Sequence, residues 1–263
     1  MNPGPGGRLL IKLGGTLLDQ DESRLRLARE IAAIAANPAY QVVVVHGGGK
    51  QMTRYLAERG VESRFVNGLR VSTPEVIDAV VKIFAGSVNA SLVTAFRAAG
   101  ARPVGLSGLD AGLVDAEILD PDLGQVGKPV ASDARLLQVL TGENYLPVVA
   151  CVAGDALGVI YNVNADQMAV ACAISFRVSQ LIFLTDVDGV RDGGGQIRPV
   201  LSIAEAQKLI QDGVATGGMQ AKLESAIEAL RRGVSEVLIA PGATAGIVES
   251  LLNQSTIGTR LVA

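Results

Sequence analysis

Apolar and polar positions fall into blocks along this chain, and the blocks alternate between two periods. RLLIKLGG (8–15) is an apolar run closed by paired glycines, which predicts a strand. SRLRLAREIAAIAANP (23–38) carries apolar residues at helical spacing until Asn37-Pro38 stops it. YQVVVVHGGG (40–49) is a second strand, with four β-branched residues in succession before three glycines. Strand, helix and strand of this length make a βαβ unit. The continuous β-branched run implies a parallel sheet covered on both faces, so the fold class is α/β.

Further along, Phe65 to Val71 places Asn67-Gly68 between apolar residues and predicts a hairpin, with Arg70 just past its turn. PEVIDAVVKIFAGSVNASLVTAFRAAG (74–100) reads as helix interrupted at Gly86, ARPVGLSG (101–108) as a strand entering a loop, and YLPVVACVAG (145–154) as another strand. These complete a first lobe, residues 1–160. A second lobe, 161–263, opens with YNVNADQMAVACAISF, where Asn164 and Asp166 offer caps to an apolar helix. QLIFLTDVDGV (180–190) is a buried strand ending in acidic residues. SIAEAQKLIQDG and MQAKLESAIEALRRG are amphipathic helices, and SEVLIA is a late strand. No long linker separates the lobes, so close packing across a cleft is expected.

Composition changes this picture little. The chain has 263 residues, 49% of them hydrophobic, which argues against disorder. A net charge of −3 and few aromatics leave no electrostatic footprint for nucleic acid. Apolar runs are broken well short of the roughly 20 residues that span a bilayer, and MNPGPGGR lacks the apolar stretch of a signal peptide. A cytoplasmic protein with no membrane partner is the expectation. Cys151, Cys172 and the single His46 make neither a zinc spacing nor a disulfide framework, so no metal site is assigned. The cysteines read as core residues. His46, beside three glycines, reads as a strand-end residue that shapes the loop rather than as a base or metal ligand.

The candidate chemistry lies where parallel sheets bind ligands, outside the carboxyl ends of the strands. Lys12-Leu13-Gly14-Gly15 ends the first strand and His46-Gly47-Gly48-Gly49 the second, so both glycine loops should open on one edge and offer N–H groups to an anion. Neither loop has Walker A or Rossmann spacing. Lys12, flanked by Ile11 and Leu13 inside a core strand, is costly unless its ammonium meets an anion. Lys222, in the first turns of a helix after TGGM, opposes the helix dipole, and by itself reads equally as an exposed lysine.

KLGG, HGGGKQ, NGLRVST, GSVN, VGLSGLD, YNVNADQMA, LTDVDGV, ATGGMQAKLESA and IGTRLV follow one another in an order that resembles the amino-acid kinase family, from about Leu9 to Val262. NGLRV with NVNADQ resembles its acetylglutamate branch. The resemblance implies a three-layer αβα sandwich with a mostly parallel central sheet. Its amino-terminal lobe would hold N-acetyl-L-glutamate and carry a homodimer interface, and its carboxy-terminal lobe would hold ATP, with Mg2+ carried by the phosphates. Carried over position by position, Lys12 and Lys222 would straddle the migrating phosphoryl group, with Asp166 holding both ammonium groups. Gly47 and Gly48 would present N–H groups to the substrate's side-chain carboxylate, Arg70 would clasp its α-carboxylate, and Asn162 would fix that end. Gly14 and Gly15 would meet phosphate, while Asp186, Val187, Asp188, Gly189, Val190 and Arg191, with Val214, Ala215 and Thr216, would line the nucleotide.

The sequence departs from that family at Leu109 and Ala90, where relatives commonly carry lysine, and its SGLD stretch is shared with sister kinases acting on carrier-linked aminoadipate. Such a kinase, or a non-catalytic sensor of the same fold, is the competing expectation. Arginine-inhibited relatives add an amino-terminal helix that links dimers into a hexamer. Here only MNPGPGG precedes the first strand, so a homodimer insensitive to arginine is expected.

Overall fold

The computed structural model describes residues 7–66 and 68–263. The lead MNPGPG and Asn67 of the predicted turn lie outside the described residues. Chain order begins with β1 (Arg8–Leu13), α1 (Asp21–Ala35), β2 (Gln41–His46) and α2 (Gly49–Ala57). The short pair β3 (Phe65–Val66) and β4 (Leu69–Arg70) follows, then α3 (Pro74–Val80), α4 (Asn89–Ala98) and β5 (Pro103–Ser107). After β6 (Val114–Ile118), β7 (Val126–Ser132) and α5 (Arg135–Gly142) come β8 (Leu146–Ala150), β9 (Val152–Gly154) and β10 (Ile160–Val163). The remainder is α6 (Ala165–Phe176), β11 (Gln180–Thr185), β12 (Val200–Ser202), α7 (Ile203–Gln211), α8 (Gly217–Arg231), β13 (Glu236–Pro241), α9 (Ile247–Leu252) and β14 (Thr259–Val262).

The apolar blocks become the centre of one eight-stranded sheet in the order β12-β14-β13-β11-β1-β2-β8-β5. From β13 to β5 every pairing is parallel, and only β13 with β14 is antiparallel. Because β1, β2, β8 and β11 are buried on both faces, nearly all their residues are inaccessible. Helices α1, α4 and α9 pack together as one layer and α5, α6 and α8 as the other. The architecture is the expected αβα sandwich. The sheet and its core run without interruption from the first half of the chain into the second, since β1 lies between β2 and β11. That is the point where strand order reverses, and ligand crevices form there.

Three readings need correction. Residues 74–98 are not interrupted at Gly86: the helix continues through a π-helical segment, Val81–Val88, which contains that glycine. Although the sequence shows a few charges, this 25-residue run is long and apolar enough to cross a membrane by length and composition. Half of its most apolar window is buried in the fold, and α4 packs on β5 and β8 as a core helix. YLPVVACVAG is two strands: β8 stays in the large sheet, whereas β9 joins β6, β7 and β10 in a closed four-stranded ring. The ring sets Asn162 opposite Val126, above the end of β2. The predicted hairpin forms, with Phe65 paired to Arg70 and Gly68 at φ 79°, a conformation that favours glycine.

Candidate functional site

Asp166 joins the two lysines. Asn164 caps α6 by accepting from Asp166 N at 2.8 Å, so the carboxylate stands in the first turn, where the helix dipole favours it. Lys12 Nζ approaches Asp166 Oδ1 at 2.6 Å, and Lys222 Nζ donates to Oδ2 at 2.8 Å. Lys12 and Asp166 are 6% and 5% exposed. Burial by itself would raise the Asp166 pKa, but the charges and hydrogen bonds of Lys12 and Lys222 outweigh it and hold the carboxyl at about 2. The cluster is therefore a fixed carboxylate with two ammonium groups, net positive, at the end of β1.

The glycine loops do share an edge. A Cβ on Gly15 would fall 3.3 Å from Gly49 N, and one on Gly47 would fall 3.3 Å from Ala165 Cβ at the start of α6. Gly48 is pressed against the π-helical segment, where a Cβ would meet the Phe84 ring at 2.8 Å. Among the described residues, no acceptor takes the N–H of Gly47 or Gly48. Gly14 differs from its neighbour, because its N–H donates to Leu184 O at 2.9 Å and ties β1 to β11.

Gly47, Gly48, Arg70 and Asn162 surround one cavity of about 190 Å³, completed by Phe65, Phe84 and Cys151. Arg70 is 8% exposed, and all its partners are neutral. It donates to Ser63 Oγ, to Thr53 Oγ1 at 2.7 Å and to Gly49 O at 3.4 Å, and its guanidinium lies 4.5 Å from the centre of the Phe65 ring. Among the described residues no carboxylate meets this buried guanidinium, which leaves it a candidate to bind an anion. Asn162 Nδ2 donates to Ser72 Oγ at 3.0 Å, and Ser72 in turn donates to Arg70 O, so the two substrate-side candidates are tied together. A cavity of about 240 Å³ lined by Lys128, Ser132, Gln167 and Arg232 gathers none of these groups. Chemistry rather than size distinguishes the site.

The other candidates follow β11. Thr185 Oγ1 donates to Asp186 Oδ1 at 3.1 Å, Val187 is exposed, and Asp188 pairs with Arg191 at 3.2 Å. Val190 is buried, with its N–H donated to Thr259 Oγ1 at 2.8 Å, so it anchors the segment that follows Gly189. Thr216 is the N-cap of α8 without a side-chain capping bond, Ala215 is buried and Val214 exposed. The loop just past Arg191 comes near the second segment, since a Cβ on Gly193 would lie 3.7 Å from Val214 Cγ2.

Asn89 and Ser72 are contributors whose parts the residues alone did not specify, while His46, expected to shape the loop at the end of β2, contacts it. His46 is wholly buried, with Nδ1 2.9 Å from Gly47 O and Nε2 3.0 Å from Asn89 Nδ2. Asn89 and Ser72 fall within the GSVN and NGLRVST stretches, but nothing in the local pattern says what they reach, because the partners lie 43 and 90 positions away. Cys151 and Cys172 are buried, and burial pushes both thiols up to about 12, so Cys151 faces the cavity as an uncharged wall.

The Amino acid kinase family matches residues 7–241. An acetylglutamate kinase of Solibacter usitatus is 60% identical over 97% of this chain and 99% of its own length, and one of Acidobacterium capsulatum is 41% identical over the same shares. Among solved structures, an N-acetylglutamate synthase from Neisseria gonorrhoeae complexed with coenzyme A and N-acetyl-glutamate aligns with a TM-score of 0.87 at 25% identity. That alignment covers 98% of this chain, which spans 60% of the synthase chain. A carbamate kinase from Giardia lamblia bound to AMP-PNP shares the fold, with a TM-score of 0.69 at 20% identity over 98% of both chains. In sequence and in architecture, the chain belongs to the amino acid kinase family.

Proposed function

We propose that this protein is an ATP-dependent kinase that phosphorylates the side-chain carboxylate of N-acetyl-L-glutamate, giving N-acetyl-L-glutamyl 5-phosphate in arginine biosynthesis. The observation that carries the reading is the Lys12–Asp166–Lys222 cluster on the same sheet edge as a cavity whose buried Arg70 meets no acidic residue among the described residues. The names of the relatives at 60% and 41% identity supply the substrate.

In this reading a carboxylate oxygen of the substrate attacks the γ-phosphorus, the bond from phosphorus to the β–γ bridging oxygen breaks, and ADP leaves with that electron pair. No proton has to move, since the carboxylate is ionised at neutral pH, so the site needs no general base. What it needs is charge stabilisation. Lys12 and Lys222 straddle the transferring group, Asp166 fixes them, and Gly47 and Gly48 offer N–H groups to the reacting carboxylate. Arg70 grips the α-carboxylate with Asn162 beside it. The nucleotide lies along Asp186 to Arg191 and Val214 to Thr216, with its phosphates toward Gly15 and the start of α8. Residues 1–160 thus serve the acyl-amino acid, apart from Gly15 at the phosphates, and 161–263 the ATP, apart from Asn162 at the α-carboxylate.

Magnesium accompanies ATP as the partner of its phosphates. Among the described residues, no group of three ligating side chains occurs, and Asp166 is already taken by two lysines, so the donor set does not suit a resident ion. A cytoplasmic homodimer joined through the amino-terminal lobe completes the reading, and light scattering tests the dimer.

The product is an acyl phosphate, a mixed anhydride that hydroxylamine converts to a hydroxamate. Incubation with ATP, Mg2+, N-acetyl-L-glutamate and hydroxylamine should yield the side-chain hydroxamate by mass spectrometry. ADP formation without hydroxamate would rule out carboxyl transfer.

A further inference from the structure

The geometry points to His46 and Asn89 as a positioning pair for the glycine loop: a neutral imidazole donating from Nδ1 to Gly47 O would aim the Gly48 N–H at the reacting carboxylate. The inference rests on the proposed phosphorylation and goes beyond it by assigning what orients one of its donors.

The proton placement follows from the partners. Asn89 Nδ2 donates to Val148 O at 2.8 Å, and a carbonyl there accepts only from the amide nitrogen, which fixes the orientation of the amide. The same nitrogen lies 3.0 Å from His46 Nε2, and it can only donate. Nε2 is therefore the accepting nitrogen. In a neutral ring Nδ1 then carries the hydrogen, and it lies 2.9 Å from Gly47 O. The imidazole is neutral because burial lowers its pKa to about 4, against the opposing effect of the Gly47 bond.

The consequence follows from peptide geometry. Gly47 O and the Gly48 N–H belong to one planar trans unit and point in opposite directions. Holding the carbonyl toward His46 therefore turns the N–H away from the ring, and among the described residues no acceptor takes it. Gly48 lines the cavity, packed against Phe84 and Val88, which resists rotation of the unit. The π-helical segment ends where α4 begins with Asn89, so that local change of pitch sets the reach of Asn89 to β2. A pair that merely satisfied itself in the core would not need this asymmetry toward the loop.

The test uses the whole protein and two readouts. In uniformly 15N-labelled wild type, the single histidine should show the Nδ1-protonated neutral tautomer, persisting well below the ordinary imidazole range. An Nε2-protonated ring would overturn the inference. Steady-state kinetics then compare His46→Leu, which removes the donor, with His46→Asn, whose amide nitrogen sits where Nδ1 was. The Leu variant should lose on the order of tenfold or more in kcat with KM for ATP little changed, and the Asn variant should regain most of it. A Leu variant with wild-type kcat, or an Asn variant as impaired as Leu, would overturn the positioning role while leaving phosphorylation intact. Wild-type protein inactive on every N-acyl amino acid would instead overturn the functional reading, and the tautomer would still decide the geometry.

Discussion

At the scale of single residues, the buried charges among the described residues divide into those that are paired and one, Arg70, that is not. Removing Asp166 leaves two ammonium groups beside each other in a mostly water-free place, so Asp166→Asn should cost about 3–5 kcal/mol of stability in urea unfolding as well as activity. The lysines differ from their partner in this respect. Lys12→Met or Lys222→Met should lower kcat by on the order of a hundredfold or more with the circular dichroism spectrum unchanged. Wild-type turnover in either would take that lysine out of the site. Arg70 should act on binding instead. Lysine cannot reproduce the planar two-bond grip on a carboxylate, so Arg70→Lys should raise KM for acetylglutamate on the order of tenfold and change kcat less, the α-carboxylate being held alike before and during transfer. Lys12 was legible from sequence because a charge between Ile11 and Leu13 needs an anion. Lys222 was not legible from its own surroundings, because its partner stands 56 positions earlier and only the fold brings them together.

At the scale of elements, the stiff strands were the easily read part and the short ones were not. QVVVVH declares a buried parallel strand through composition alone, and β2 occupies Gln41–His46. Residues 109–144 gave no such signal: β6 and β7 are half-exposed strands of a small ring, with Pro121 in their connection and Pro129 inside β7, and a one-residue irregularity sits between Asp115 and Ala116. The π-helical turn was invisible because its apolar pattern is that of any buried helix. It explains why position 48 of the second loop resists a side chain, since a Cβ there would meet Phe84 and Val88. Gly48→Ala should cost about 1–3 kcal/mol from overpacking, read as a lower urea midpoint, and should weaken phosphorylation as the loop moves away from the cavity. An unchanged midpoint would mean that the segment yields freely.

At the scale of the whole molecule, one sheet carries both halves of the site, because β1 is flanked by the strand that leads to the glycine loop and the strand that leads to the acidic loop. Stability and function therefore share a pH dependence set by few groups. His46 titrates near 4 in the fold and at 6.5 when unfolded, so both states are neutral above 6.5. As pH falls below that, the unfolded chain gains a proton that the folded chain refuses, and about 3 kcal/mol of stability should be lost by pH 4. The rings and loops facing His46 offer a carbonyl and an amide, and the nearby Cys151 thiol stays uncharged. Asp166 adds a later loss, between its unfolded value of 3.8 and about 2. Urea titrations from pH 7 to pH 4 on wild type and His46→Asn should differ by the histidine contribution, and equal slopes would contradict it. The central claim concerns the reaction, and a coupled ADP-release assay over a panel of N-acyl and free amino acids tests it most directly. Rapid turnover of N-acetyl-L-glutamate, with free L-glutamate and carrier-linked aminoadipate far behind, is the predicted result. Preference for either of those two, or ADP release independent of any acceptor, would contradict it.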